Sequence, residues 1–165
     1  MSIFGWKPID QTNSPYEMDY LGFGGKLHHH VPNWVSAGAC FHIRIRCQGQ
    51  TNLATKDIAP KLLEAAKFYE EKNRWRVTVI LVMPDHLHAI LSFSSDQRMS
   101  RIVGDWKRYT AQSLGIAWQQ NFFDHRLRDD DQVLAKYHYI LRNPEVSGLC
   151  DNAADWPWWF DSSQS

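Results

Sequence analysis

Apolar and polar residues alternate from Ala39 to Arg46 (ACFHIRIR), the period-two pattern of a half-buried strand. Between Asp57 and Lys72 the period lengthens. Ile58, Leu62, Ala65, Ala66 and Tyr69 recur at helical spacing and predict a helix. Trp75–Val82 (WRVTVILV) is rich in β-branched residues and predicts a second strand. Met83-Pro84-Asp85 then turns the chain, and His86–Phe93 (HLHAILSF) returns as a third strand. Met99–Leu114, with Ile102, Trp106 and Tyr109 at helical spacing, predicts a second helix, and Phe122–Arg128 (FFDHRLR) suits a short strand. A last helix is predicted from Asp130 to Asn143. Asp129, Asp130 and Asp131 favour its N-terminus, and Pro144 is expected to end it by pushing the preceding residue out of helical geometry.

The order is β-α-β-β-α-β followed by one more helix. This is the α+β, ferredoxin-like pattern with an antiparallel sheet and an added C-terminal helix, which here carries Tyr139. Residues 1–25 are polar and rich in Gly, Pro, Asn and Tyr, and read as a loosely structured arm. Residues 145–165 form a tail in which Trp156, Trp158 and Trp159 are expected to pack or dock, with base stacking as the alternative for an exposed one. With no internal repeat or low-complexity linker, the 165 residues read as a single domain.

Composition narrows the class. A 44% hydrophobic and 13% aromatic chain suits a globular protein. No apolar run approaches the roughly 20 residues of a membrane span, and the first residues lack the pattern of a signal peptide. Cys40, Cys47 and Cys150 are odd in number and form no C-x-x-C pair, so free thiols in a reducing cytoplasm are expected. Formal net charge is zero, so any nucleic-acid site must be a local patch rather than a uniformly basic surface.

Two short motifs carry chemistry. In His86-Leu87-His88 the two imidazoles lie at i and i+2 of a strand and so share a face, offering half of a divalent-metal site. An isolated pair of this kind also occurs as mere decoration of a polar strand face. In Tyr139-Ile140-Leu141-Arg142-Asn143-Pro144, the tyrosine and the asparagine are one helical turn apart on one face. A phenol with its ordinary pKa of about 10 needs a nearby cation to attack phosphorus. Read alone, Tyr139 also suits core packing, while Tyr137 projects from another helix face and suits packing or surface.

Together the strand VMPDHLHAI, the segment FFDHRLR, the helix ending YILRNP and the following DWPWW resemble the REP-associated tyrosine transposases, single-tyrosine HUH enzymes of the insertion-sequence-200 kind. LHHHVPNWVSAGACFHIRI is also similar to that family's lead into its first strand, so the likeness runs from about His28 to Trp159. The resemblance implies an enzyme that cuts and rejoins single-stranded or hairpin DNA of the REP palindrome type. It places the nucleophile on Tyr139, and a divalent ion, Mg²⁺ or Mn²⁺, on His86, His88 and Asn143. It further implies a 5′-phosphotyrosine intermediate, a cytoplasmic bacterial protein with no membrane partner, and a monomer. Insertion-sequence relatives are instead dimers that exchange the tyrosine helix. Ligand softness alone points to zinc or another transition metal for two imidazoles.

Candidate DNA contacts are Lys107 and Arg108, with Arg101 nearby, on the second helix; Arg126 and Arg128 in the FFDHRLR segment; and His28 and Trp34 near its lead-in. The helix cations equally suit an ordinary solvated face. Two other readings compete. A non-catalytic DNA-binding derivative of such an enzyme could have lost any of the four motif residues, yet all are present. A small metal-dependent phosphodiesterase of the histidine-triad kind wants a third His two residues past the pair, where Ile90 stands, and the His-x-Ser/Thr repeats of two-histidine phosphoesterases are missing.

Overall fold

The computed structural model describes residues 39–94, 96 and 98–161. The expectations for the arm at 1–25, for His28 and for Trp34 lie outside the described residues. The elements follow in the order β1 (Cys40–Arg46), α1 (Ala59–Glu71), β2 (Arg76–Val82), β3 (His86–Ser92), α2 (Met99–Leu114), β4 (Phe123–Leu127), α3 (Asp130–Val146) and β5 (Trp159–Asp161). The strands form one sheet in the order β4-β1-β3-β2-β5, every neighbour antiparallel. The α+β architecture is thus the expected one. No helix among the described residues is long and apolar enough to cross a membrane.

Strand alternation sends side chains to two apolar clusters, one on each face of the sheet. Phe41, Ile43 and Ile45 of β1 and Leu87, Ala89 and Leu91 of β3 pack with Leu62 and Ala66 of α1 and Ile102, Val103 and Trp106 of α2. On the other face, Val79, Leu81 and Ile90 pack with Ile140 of α3. A register shift between Val77 and Val79 keeps β2 apolar on both faces, since Val77 and Ile80 reach the first cluster while Val79 and Leu81 reach the second. The shift also sets Leu81 opposite His88. Each fully buried aliphatic side chain contributes about 1.5–3 kcal/mol, so the two clusters hold both helical layers against the sheet.

Two details differ from expectation. Pro144 does not end α3; it is buried inside the helix, which runs on to Val146. The ring removes one backbone bond near the C-terminal end. The final carbonyls of Asn143, Pro144 and Glu145 are met by the amides of Ser147, Leu149 and Gly148, each at 2.9 Å. At the other end Asp129 caps as expected, its carboxylate accepting the Gln132 amide at 2.8 Å. The second difference is β5. The Trp-rich tail adds a short edge strand beside β2, pairing Trp159 with Leu81 and Phe160 with Ile80. The Trp156 indole N–H donates to the Val82 carbonyl at 3.0 Å and docks the segment before it.

Tyr137 ties α3 to this edge, its hydroxyl donating to the Asp161 carboxylate at 2.5 Å. Burial and the Asp161 carboxylate push the phenol up to about 12. Tyr137→Phe should therefore cost about 1.5–3 kcal/mol, the usual worth of a hydrogen bond to a charged group, read as a lower midpoint in thermal melts. The raised pKa makes this contribution complete below the phenol's ordinary value near 10. It is lost as pH climbs through about 12. Parent and variant melting curves should converge over that window, and a gap that stays constant would refute the assignment.

Candidate active site

His86 and His88 open β3 and, with Ile90, face α3. Both rings are only 2% exposed, which is unusual for imidazole and requires that their nitrogens be satisfied inside the protein. Each Nδ1 has a partner, Asp85 for His86 and His42 for His88, while the two Nε2 atoms face one another. The Nε2 atoms of His86 and His88 stand 3.1 Å apart, with the rings nearly perpendicular. His86 Nδ1 lies 2.5 Å from Asp85 Oδ1, and Asp85 in turn pairs with Arg46 at 3.5 Å. His88 Nδ1 lies 3.0 Å from Nε2 of His42, a β1 residue whose ring stacks on His88 at 5.2 Å.

Burial holds all three imidazoles below their ordinary pKa. For His88 the cations Arg44 and Lys136 act in the same direction, as Lys136 and Arg44 do for His42. For His86, Asp85 partly opposes burial. Asp85 is drawn the other way. Burial raises it, but the hydrogen bond and charge of His86, with Arg46, outweigh that and keep it a carboxylate. His86 consequently carries its proton on Nδ1, toward Asp85, and leaves its Nε2 lone pair facing His88. Neutral imidazoles with facing nitrogens suit a divalent cation.

α3 covers this pair. Lys136, Ile140 and Pro144 form its buried stripe, with Tyr139 and Asn143 beside it at the same helical spacing. The Tyr139 ring meets His88 edge-on at 6.0 Å. The Asn143 side-chain amide reaches to 3.5 Å from His88 Nε2, and its other end accepts from the Ser147 hydroxyl at 3.4 Å. The four residues expected from the motifs therefore do meet at one place. Among the described residues no group of three or more His, Cys, Asp or Glu side chains could hold a metal ion. The Asn143 side chain is a further oxygen- and nitrogen-bearing group adjacent to the two imidazoles.

Three further side chains join them. Lys136, buried one turn before Tyr139, holds its ammonium 4.6 Å from the centre of the tyrosine ring. Arg44 and Arg46 alternate with the buried residues of β1, directly opposite His88 and His86. The alternation in FHIRIR already placed His42, Arg44 and Arg46 on one face, and Lys136 lies three residues before Tyr139. Those were the available signals.

The expected DNA contacts divide. Arg128 is exposed just before α3. Arg126 stands opposite Phe41, which faces the α1–α2 layer, so it lies across the sheet from the histidines. α2 packs on that far face too, and carries Arg101 and the exposed Arg108, which pairs with Asp105 at 3.2 Å. Lys107 requires a correction. It is buried, and its ammonium donates to the carbonyls of Gln119 at 2.6 Å and Gln120 at 2.9 Å. Through them it anchors the loop after α2. Cys40, Cys47 and Cys150 form no disulfide with one another.

Comparison with known proteins places the chain in a class, that of the DNA transposases. The sequence model for IS200-like transposases matches residues 36–140. The chain belongs to that family and is an enzyme that acts on DNA. Relatives include a Haemophilus influenzae protein assigned as a REP-associated tyrosine transposase, 25% identical over 73% of this chain and 78% of its own length. The REP-associated tyrosine transposase of Escherichia coli K12 is 32% identical over 53% of this chain, which spans about half (52%) of that relative. Among solved structures, a REP-associated tyrosine transposase bound to a REP hairpin shares the fold, with a TM-score of 0.67 at 20% identity over 78% of this chain and 80% of that one.

The placement of Lys107 can be checked directly. Lys107→Met should lower thermal stability by about 1–3 kcal/mol, because two carbonyls lose their donor, and should leave affinity for single-stranded DNA as in the parent. A loss of affinity with no change in melting would return Lys107 to the DNA interface.

Proposed function

We propose that this chain cuts and rejoins single-stranded or hairpin DNA through a covalent bond between Tyr139 and a 5′-phosphate. One observation carries the reading: the facing Nε2 atoms of His86 and His88 stand beside Tyr139 and Asn143 of α3 within a single chain. Family membership supplies the class of reaction, and the hairpin bound to the structural relative supports the form of DNA.

His86 and His88 would hold a divalent cation through Nε2, with Asn143 as third ligand through its side-chain carbonyl once the amide is turned over, an exchange that costs little because its two ends are nearly isosteric. Mg²⁺ or Mn²⁺ is the proposed ion. Such an ion supplies Lewis-acid stabilisation of charge growing on the phosphoryl oxygens. The rest falls to the protein. Lys136 lies over the Tyr139 ring and stabilises negative charge as the phenol loses its proton. Tyr139 Oη then forms a bond to phosphorus while the bond to the 3′-oxygen breaks, and that oxygen leaves as a free 3′-hydroxyl. Attack by a second 3′-hydroxyl reverses the exchange. The number of phosphoester bonds is conserved, so no external energy source is needed. Arg44 and Arg46, on the site face of β1, are placed to bind the flanking backbone.

Because Tyr139 faces the histidines of its own chain, the proposed working unit is a monomer, and a cytoplasmic location follows from its substrate and its bacterial relatives. Binding should favour hairpin or single-stranded DNA over blunt duplex and weaken as salt rises, since cationic side chains displace counterions from phosphate.

The nucleophile gives the sharpest test. With a labelled REP-type hairpin, the parent should form a protein–DNA adduct that survives denaturing electrophoresis. Tyr139→Phe should abolish adduct and cleavage together while hairpin binding persists. Tyr137→Phe should still cleave. A Tyr139→Phe protein that cuts at the parent rate would mean hydrolysis by water. A parent that binds hairpins but never cuts them would be a non-catalytic binder.

A further inference from the structure

The His88 ring raises a question of proton placement that the proposed metal site leaves open. A neutral imidazole carries one proton on two nitrogens. His86 is settled by the Asp85 carboxylate at Nδ1. His88 has no carboxylate among its described hydrogen bonds; its Nδ1 meets the Nε2 of His42 at 3.0 Å. Were its proton on Nε2, an N–H would point at His86 Nε2 and toward Asn143, and the two rings would offer one lone pair between them. With the proton on Nδ1, both Nε2 lone pairs face the same spot.

We propose that His42 is the positioning residue for the metal site, its Nε2 accepting the Nδ1 proton of His88 and so turning the His88 Nε2 lone pair toward His86 and Asn143. This rests on the metal reading above and adds to it a residue from another strand. Three observations support it. The His42 ring is held in place on two sides, stacked on His88 at 20° and met edge-on by Phe123 at 5.6 Å. It is 5% exposed, so its contact with His88 is shielded from competing water. Its own Nδ1 is buried with no hydrogen-bond partner among the described residues. Packing alone would be served better by phenylalanine, which fills the same space without burying an unpaired polar atom at about 1–3 kcal/mol. Retaining the imidazole makes sense if Nε2 has work to do. With His42 protonated on Nδ1, its Nε2 is the acceptor that His88 needs. The two histidines of the motif are then supported alike at Nδ1, His86 by a carboxylate and His88 by a neutral ring.

The test uses the full-length chain and Mn²⁺ as probe, titrated calorimetrically without DNA. His42→Phe keeps the stacked ring and deletes the acceptor. It should weaken Mn²⁺ binding about 10–100-fold, the usual effect of losing the partner behind a ligating histidine. His42→Gln, whose side-chain oxygen can accept the same proton, should recover most of that loss. His88→Ala should remove binding altogether. In the parent before any metal is added, nitrogen-15 spectra should already show His88 protonated on Nδ1 and bare on Nε2. If His42→Phe binds as the parent does while His88→Ala does not, the positioning role is overturned and the metal site stands. If His88→Ala also binds normally, the metal reading itself fails, and this proposal with it. Should His42→Phe not fold, the spectrum of the metal-free parent decides: a His88 proton on Nε2 there overturns the proposal.

Discussion

Two uncharged imidazoles held nitrogen to nitrogen inside a protein are the constraint from which the rest of this structure follows. In water, imidazole is free to protonate and turn. Here burial removes the first option, and hydrogen bonds behind each ring remove the second. Desolvation is a cost to folding, and the apolar clusters on both faces of the sheet must offset it. A central strand is well placed for that. β3 has a neighbour on either side, so its backbone is fully paired and its side-chain directions are fixed by the pleat. Moving the register by one residue would send both rings to the opposite face, into the layer already filled by α1 and α2.

The same alternation sorts the charges. Arg44 and Arg46 face the histidines because they share parity with His42, whereas Ile43 and Ile45 line the other cluster. Lys136 reaches the group from the helix above. A chain with no net charge thus sets Arg44, Arg46 and Lys136 together on one side of its sheet, around rings that burial keeps uncharged. For a polyanionic substrate this local arrangement matters more than the total, since contacts beyond a Debye length of about 8 Å are largely screened at physiological salt.

Much of this was legible in the sequence, and the reasons for the rest are specific. Periodic patterns located β1, α1 and α2, while β2, apolar on both faces, was legible from its β-branched content and α3 from the residues at its ends. The His86–His88 and Tyr139–Asn143 pairs were visible because their partners are two and four residues apart. His42 was not, since its link to His88 spans 46 residues and depends on strand pairing. A search for a third imidazole along β3 stops at Ile90, yet His42 is the residue paired across from Ile90 on β1. Lys107 misled for the converse reason. A lysine on an amphipathic helix looks solvated, and only the path of the loop through Gln119 and Gln120 reveals carbonyls that hold it. Pro144 misled because a proline near the last turn of a buried helix loses a single backbone bond, which tertiary packing outweighs.

The two halves of the site also differ in how firmly they are held, and the proposed chemistry makes that difference useful. The histidines belong to a central strand and are fixed by pairing on both sides. Tyr139 and Asn143 belong to a helix that packs over the sheet through a narrower stripe, Val133, Ile140 and Pro144 among it, and is tied at one edge by Tyr137 to Asp161. A ligand pair that must keep one geometry throughout the reaction gains from the stiffer element. A nucleophile that must approach phosphorus, carry a DNA strand and later release it gains from the element with more freedom to adjust. Exchanging the two positions would leave the same functional groups present. It would put the moving group on the rigid strand and the fixed pair on the adjustable helix, where small shifts of the helix would separate the two facing nitrogens.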